Sequence, residues 1–313
     1  MPLDPLVKAF LDKAAAIPRP KPWDLPPAMA RQGFAGMMQL TGPKDVAVGK
    51  VDNFIIPGPG GDIRARAYSP VAAVGPQAAL IYFHGGGFVV GGLESHDGLC
   101  RLFAAEGGFK VIAVDYRLAP EHLWPAAVDD AMTAVQWIEA NAADLGVDAG
   151  RIAVGGDSAG GLLTAIVTQS LRDKAKLKIA YQMLLFPATQ IGGETSSLHE
   201  FAVGYFLERR SIDYFNGLYL PPGADKNRPR VSPLRAKDFS GLPPAFVMLG
   251  GFDPLHDEGL AYAEKLKAAG VKVAIADYPD MVHCFIYLQT VLPQAREAVA
   301  KAAHAVKTAL DAA

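Results

Sequence analysis

Val154-Gly155-Gly156-Asp157-Ser158-Ala159-Gly160-Gly161 sets a serine between two glycines, Gly156 and Gly160, at a turn from strand to helix. Arg151-Ile152-Ala153-Val154 just before it is short and largely apolar, as a buried strand requires. Leu162 to Leu171 after it is rich in Leu, Ala and Ile and predicts a helix. So sharp a turn pushes the serine hydroxyl out over the sheet edge. Its flanking positions must lack side chains, because Cβ atoms there would strike the neighbouring strand and helix. Gly-x-Ser-x-Gly also occurs in ordinary glycine-rich loops. A nucleophilic serine therefore needs three further parts elsewhere in the chain: an oxyanion hole, a base and an acid to orient the base. A nucleotide-binding turn fits poorly. The Gly58/Gly60 and Gly85/Gly87 pairs put Ile63 and Val90 where a third glycine would stand, and no Gly-x-x-x-x-Gly-Lys-Ser/Thr loop occurs.

Around that motif the chain alternates strand and helix. Val51 to Ile56 and Asp62 to Ser69 read as two strands joined through Pro57-Gly58-Pro59-Gly60-Gly61. Further strands are predicted at Ala78 to Phe83, Lys110 to Asp115, Ile152, Lys178 to Phe186, Ala245 to Gly250 and Val271 to Tyr278. Helices are expected near His96 to Glu106, Ala126 to Ala143 and Gln294 to Leu310. Buried strands alternating with helices imply a mostly parallel sheet of eight strands covered on both faces. Two segments break the pattern. Residues 1–45 are rich in Pro and Met, with Phe10, Trp23 and Phe34. Residues 188–237 carry Phe201, Tyr205, Phe206, Tyr214, Phe215 and Tyr219. They are the natural candidates for a cap, with residues 46–187 and 238–313 as the core.

Composition narrows the function classes. In 313 residues, half of them hydrophobic, Lys+Arg 30 stand against Asp+Glu 32, and there is no long basic run to attract nucleic acid or an anionic membrane. No apolar run approaches membrane-spanning length, and the N-terminus lacks a basic segment followed by an apolar signal core. Two cysteines, Cys100 and Cys284, are too few for a disulfide framework in a chain this long. The expectation is a soluble, cytoplasmic protein with no nucleic-acid partner and no stable membrane insertion. Histidines and acids show no metal-ligand spacing such as His-Glu-x-x-His, so neither metal nor cofactor is expected.

The missing parts of the site appear at the ends of other strands. Leu80-Ile81-Tyr82-Phe83 runs into His84-Gly85-Gly86-Gly87-Phe88, where successive glycines leave backbone N–H groups free to face a negatively charged oxygen. Gly86 and Gly87, with the amide of Ala159, are the expected donors; Gly85 serves the turn, and His84 braces the loop. Asp253 follows the strand Ala245 to Gly250, and His283 follows the strand ending at Tyr278, which completes the order serine, carboxylate, histidine. His256 and Asp257 fit the first turn of the next helix, where an acid sits well beside the helix dipole. Asp280 lies too near His283 in sequence to be its obvious partner. Arg117, Glu121, His122 and Asp157 are expected to form one buried ion-pair brace near the serine.

His84-Gly85-Gly86-Gly87, Asp115-Tyr116-Arg117-Leu118-Ala119-Pro120-Glu121-His122, Gly156-Asp157-Ser158-Ala159-Gly160-Gly161 and Asp253-Pro254-Leu255-His256-Asp257-Glu258-Gly259 occur in that order. Over roughly residues 45 to 310 the chain resembles the bacterial hormone-sensitive-lipase family of esterases, family IV, within the α/β-hydrolase superfamily. One departure is Leu162, where many relatives carry asparagine. The resemblance implies an α/β-hydrolase fold with a helical cap built from the two misfit segments. It also implies a serine carboxylesterase activity on a small-molecule ester with a short-to-medium acyl chain, using Ser158, His283 and Asp253. An aromatic, Met-rich lid favours an apolar acyl group, with Phe88, Tyr205, Phe206, Phe215 and Leu255 as candidate substrate contacts. The same three residues would serve an amidase, deacetylase or acyltransferase. A non-catalytic small-ligand receptor of this fold is the other alternative, and the presence of His283 argues against it. Lys272 to Asp277 alternates as an edge strand would, and relatives often pair there, so a homodimer through the last strand is expected.

Overall fold

The chain begins with two helices, α1 (Pro5–Ala16) and α2 (Pro27–Thr41), each opening on proline, which suits the first helical turn. Asp4 caps α1 by accepting the amides of Leu6 and Val7. This is a computed structural model, and it describes residues 1–17, 20–172 and 178–313. After the two helices come the strands β1 (Lys50–Gly58), β2 (Gly61–Ser69), β3 (Gln77–Phe83), β4 (Lys110–Asp115), β5 (Val147–Asp157), β6 (Ile179–Leu185), β7 (Ala245–Phe252) and β8 (Val273–Val282). They form one eight-stranded sheet in the order β1-β2-β4-β3-β5-β6-β7-β8. β1 and β2 make the expected hairpin, β2 runs antiparallel to β4, and every pairing from β4 to β8 is parallel.

Between the strands run α3 (Leu93–Gly107), α4 (Ala126–Ala140), α5 (Ala159–Leu171), α6 (Ser196–Glu200), α7 (Arg209–Tyr219) and α8 (His256–Ala268), and α9 (Pro293–Asp311) closes the chain. Side chains alternate across each strand, so each core strand feeds both faces. Leu80 and Tyr82 of β3 pack with Leu99 and Phe103 of α3 and with Ala298, Val299 and Val306 of α9. Ala79, Ile81 and Phe83 turn the other way, toward Val128, Val135 and Ile138 of α4 and Leu162, Leu163 and Ile166 of α5. β7 repeats the pattern: Phe246 and Met248 lie on the α9 side, while Val247 and Leu249 meet Tyr262 and Leu266 of α8. Leu162 is therefore an ordinary core residue here, fully buried.

Several boundaries differ from the sequence expectation, two of them beside the site. The helix predicted from Leu162 begins at Ala159, directly after the serine, and the strand predicted at residues 271–278 continues to Val282. Gly160 and Gly161 depress helix propensity, yet tertiary contact demands them. A Cβ at Gly160 would fall within the carbonyl oxygen of Phe83, so only glycine lets α5 start this close to β3. Parallel strands joined by helical crossovers all end at one edge. The loops after β3, β5, β7 and β8 consequently share one rim, where sites form in open α/β sheets.

Residues 188–237 leave the sheet after β6 and return before β7. Their two ends are tied together: Leu234 donates its amide to the Thr189 carbonyl (2.9 Å), and Ile191 donates to Ser232 Oγ (2.9 Å). Their far side meets the N-terminal segment. Phe206 packs near Phe10, Arg210 lies 4.8 Å over the Trp23 ring, Lys21 pairs with Glu208, and Tyr214 donates to the Leu25 carbonyl.

Candidate active site

Ser158 sits in the turn between β5 and α5 with φ +53°, a left-handed conformation uncommon for a non-glycine residue. The surroundings hold it there: its amide donates to the Leu185 carbonyl, and its own carbonyl accepts from Leu162 and Ala188. A Cβ at Gly156 would lie 2.6 Å from the Gly160 carbonyl carbon, so both flanking glycines answer to close packing. His283 Nε2 lies 3.1 Å from Ser158 Oγ, and His283 Nδ1 lies 2.7 Å from Asp253 Oδ2. Asp253 Oδ1 accepts the Leu255 amide at 2.8 Å, which fixes the carboxylate plane. His283 and Asp253 are both buried. Three residues spread over 125 positions of sequence are thus within hydrogen-bonding reach. In this arrangement an imidazole can accept the serine proton while a buried carboxylate holds its other nitrogen.

The competing residues are engaged elsewhere. His256 lies 3.2 Å from Asp257 Oδ1 and 3.4 Å from Asp277 Oδ2, Asp257 accepts the Ser197 amide, and the place on His283 Nδ1 that Asp280 would need is taken by Asp253. Phe186, which follows β6 with φ +35°, sets its ring edge-on to His283 at 5.0 Å. Its place at the end of a predicted strand was visible in the sequence, but its contact with His283 was not. Cys284 is buried, and burial with the nearby Asp157 and Asp253 charges pushes its thiol well up, away from the reactive thiolate.

The loop after β3 passes beside Ser158. The Gly85 amide donates to Asp157 Oδ1 (3.0 Å), so it is not directed at a substrate. Gly86 and Gly87 follow with φ +115° and +59°. The Ala159 amide opens α5 directly after the serine. His84 is buried, its Nδ1 lies 2.7 Å from the Gly85 carbonyl, and its ring stacks on Tyr116 at 4.3 Å. Burial and the neighbouring His96 push His84 down to about 4, so it is neutral at ordinary pH.

The expected polar brace is corrected by the coordinates. Arg117 pairs with Asp130 of α4 through Nε and Nη2, Glu121 pairs with Arg31 of α2, and His122 is exposed. Only Asp157 lies under the serine. It accepts Tyr82 OH at 2.5 Å and Tyr287 OH on its other oxygen, and His96 Nε2 stands 3.7 Å away. Burial alone would raise this carboxyl; His96 and the two tyrosine hydroxyls outweigh it and hold the carboxyl below its ordinary value. None of Tyr82, Tyr287 or His96 is near Asp157 in sequence, and grouping polar residues of neighbouring motifs chose the wrong partners.

A family model described as alpha/beta hydrolase fold matches residues 80–287. The chain belongs to the hormone-sensitive-lipase-like esterase family of α/β-hydrolases. It is similar to the carboxylic ester hydrolase LipN of Mycobacterium tuberculosis, 45% identical over 244 residues, which are 76% of this chain and 65% of that protein. The chain thus spans slightly less than two thirds of LipN. It is also similar to an ethyl acetate hydrolase of Pseudomonas putida, 40% identical over 231 residues covering 74% of this chain and 73% of that one. The solved structure of an ester hydrolase from the metagenome of Lake Arreo superposes with a TM-score of 0.95 at 43% identity, covering 98% of each chain.

Within this esterase-family frame, the five residues named as substrate contacts occupy different places. Phe215 of α7 lies against the glycine loop: a Cβ on Gly87 would come within 2.5 Å of its ring. Phe88 is buried in a stack with Tyr219, centroids 3.8 Å apart. Tyr205 stacks on Phe252, the residue before Asp253, and Phe206 faces Phe10. Leu255 is buried in the turn that orients Asp253. Sequence reasoning missed Glu258, which accepts the amides of Thr189 (2.6 Å) and Gln190 (3.3 Å) at the root of the 188–237 insertion. Burial pushes its carboxyl up to about 8, despite those amide donors. Among the described residues no group of three or more His, Cys, Asp or Glu is arranged to hold a metal, and no helix is long and apolar enough to cross a membrane.

Proposed function

We propose that this protein is a serine carboxylic ester hydrolase in which Ser158 attacks the ester carbonyl while His283 takes its proton. Asp253 keeps the imidazole in the tautomer that accepts at Nε2 and stabilises the cation that forms. The amides of Gly86, Gly87 and Ala159 receive the carbonyl oxygen as it becomes negative. His283 then protonates the leaving alcohol, and water activated by the same imidazole releases the acid and frees Ser158. The observation that carries this reading is the unbroken relay from Ser158 Oγ to His283 (3.1 Å) to Asp253 (2.7 Å). A receptor would have no use for that relay. Ser158→Ala tests it: turnover of a chromogenic ester should vanish with the fold intact, and undiminished turnover would refute it.

The α1–α2 segment and residues 188–237 act as a cap in this reading, supported by their mutual contacts and by Phe215 over the glycine loop. An aromatic ring so close to the loop favours short-to-medium acyl chains, as does similarity to a relative named for ethyl acetate. Rates across acyl lengths should therefore fall steeply for long chains. We also propose a homodimer through β8, an edge of the sheet, and light scattering showing a monomer would remove it. Two free thiols, both buried, fit a reducing cytoplasmic setting, which cell fractionation checks.

A further inference from the structure

The turn that carries Gly86 and Gly87 is closed by its own backbone: the Gly86 carbonyl accepts the amides of Val89 (3.0 Å) and Val90 (2.9 Å). It is also strained, because Phe88, which has a Cβ, is held at φ +64°. Such a conformation persists only where the surroundings fix it, and two contacts from outside the turn do so. The Phe88 carbonyl accepts the Ala119 amide at 2.9 Å, and the Val89 carbonyl accepts Arg31 Nε of α2 at 2.8 Å. Arg31 Nη2 donates in turn to the Ala119 carbonyl at 2.8 Å, so one planar guanidinium spans both segments. We propose that Arg31 is a positioning residue that keeps the amides of Gly86 and Gly87 aimed at the oxyanion.

The proposal rests on the esterase reading, since it concerns the aim of the amides which that reading uses. Guanidinium nitrogens only donate, and every acceptor here is a carbonyl or carboxylate oxygen, so the direction of each bond is settled. Val89 and Ala119 are fully buried, and among the described residues Arg31 supplies the hydrogen bond that each of their carbonyls accepts. Without Arg31 two buried acceptors stand unpaired, and the turn must shift to find water or another donor. The ion pair with Glu121 does less. It is bidentate, at 2.9 and 2.6 Å, but Glu121 is half exposed, so the pair chiefly orients the fork. The N-terminal segment that carries Arg31 is itself anchored on either side of His283. The Asp4 amide donates to the Asp280 carbonyl (3.0 Å), and the Thr41 carbonyl accepts the Thr290 amide (3.1 Å). Arg31 lies between these two anchors in the chain, so the fork works from a fixed support.

Ester kinetics on the full-length enzyme, joined to inhibition by an alkyl trifluoromethyl ketone, test the role. Ser158 Oγ bonds to the ketone carbon, its proton passes to His283, and the carbonyl oxygen takes the negative charge, so affinity for the ketone reads the aim of the amides. Arg31→Ala should lower kcat by ~10²-fold with KM within about twofold, the size expected when reacting groups lose register. It should weaken the ketone by a similar factor. Arg31→Lys keeps the charge and the stem but not the fork, and should lose nearly as much; it carries the same test if Arg31→Ala does not fold. Glu121→Gln should lose no more than about 5-fold. An unchanged kcat in the Arg31 variants, a loss confined to KM, or a lower kcat with undiminished ketone affinity would overturn the proposal. So would a Glu121→Gln loss as large as that of Arg31→Ala, which would assign the effect to the ion pair. Ser158→Ala separates the two readings. If turnover survives it, the esterase reading falls; if turnover vanishes there but Arg31→Ala keeps its kcat, only the role of Arg31 falls.

Discussion

Replacing Asp253 by asparagine keeps the shape of the side chain and removes one acceptor, and the surrounding geometry dictates which one. Asp253 uses Oδ1 for the Leu255 amide and Oδ2 for His283 Nδ1. In Asp253→Asn the amide oxygen stays with Leu255, because the opposite orientation would set an NH₂ donor against a buried N–H donor at a cost of ~1–3 kcal/mol. The NH₂ group then faces His283 Nδ1, which must accept. The ring proton moves to Nε2, 3.1 Å from Ser158 Oγ, where a base is needed. If that tautomer holds throughout, kcat falls by ~10⁴-fold, about 5.5 kcal/mol of barrier. If asparagine flips, the flip penalty still limits the productive form and sets a floor of roughly 5- to 150-fold. Steady-state kinetics on a short-chain chromogenic ester should find kcat reduced within that span and KM almost unaltered. A kcat within about twofold of the parent, below the floor set by the flip penalty, would refute the tautomer reasoning.

Three further outcomes are expected. The folded Glu258 carboxyl at about 8, against an ordinary 4.5, holds a proton that the unfolded chain releases between those values. Stability from this group is full below about pH 4.5 and is lost as pH rises through 8. Glu258→Gln should flatten that decline in urea-unfolding midpoints, and parallel curves for parent and variant would count against it. Gly87→Ala forces a side chain into φ +59° and against Phe215. It should cost ~10²-fold or more in kcat, with part of the loss recovered in the Gly87→Ala/Phe215→Ala double variant; no recovery would exonerate Phe215. Gly160→Ala pushes a Cβ onto the backbone of β3, which cannot rotate away, and should destabilise the fold by at least ~1–3 kcal/mol in thermal unfolding.

Much of the site was legible because its parts are local. Ser158, Asp253 and His283 each follow a strand whose apolar run is readable, and Ser158 and Asp253 sit among glycines or prolines that mark a turn. Their meeting follows from parallel topology, which brings all carboxyl ends of the strands to one rim. Helix starts were less legible: Gly160 and Gly161 argue against a helix by propensity, and only the closeness of Phe83 to the first and of Pro187 to the second explains them. Arg117 and Asp157 looked like partners because they are polar and belong to neighbouring motifs. In the fold Arg117 turns to Asp130 while Asp157 turns inward to Tyr82 and Tyr287.

The amino-acid order by itself determined the sequence of strands and helices, the turn that presents Ser158, and which serine, carboxylate and imidazole could act together. These follow from short-range periodicity and turn chemistry, which need no knowledge of distant neighbours. Tertiary structure alone decided that Asp157 gathers three loops around one buried charge, that Phe215 lies on Gly87, and that Glu258 anchors the root of the insertion. Those contacts join residues 69 to 130 positions apart, and a buried hydrogen bond forms only between groups that packing has already brought within about 3 Å.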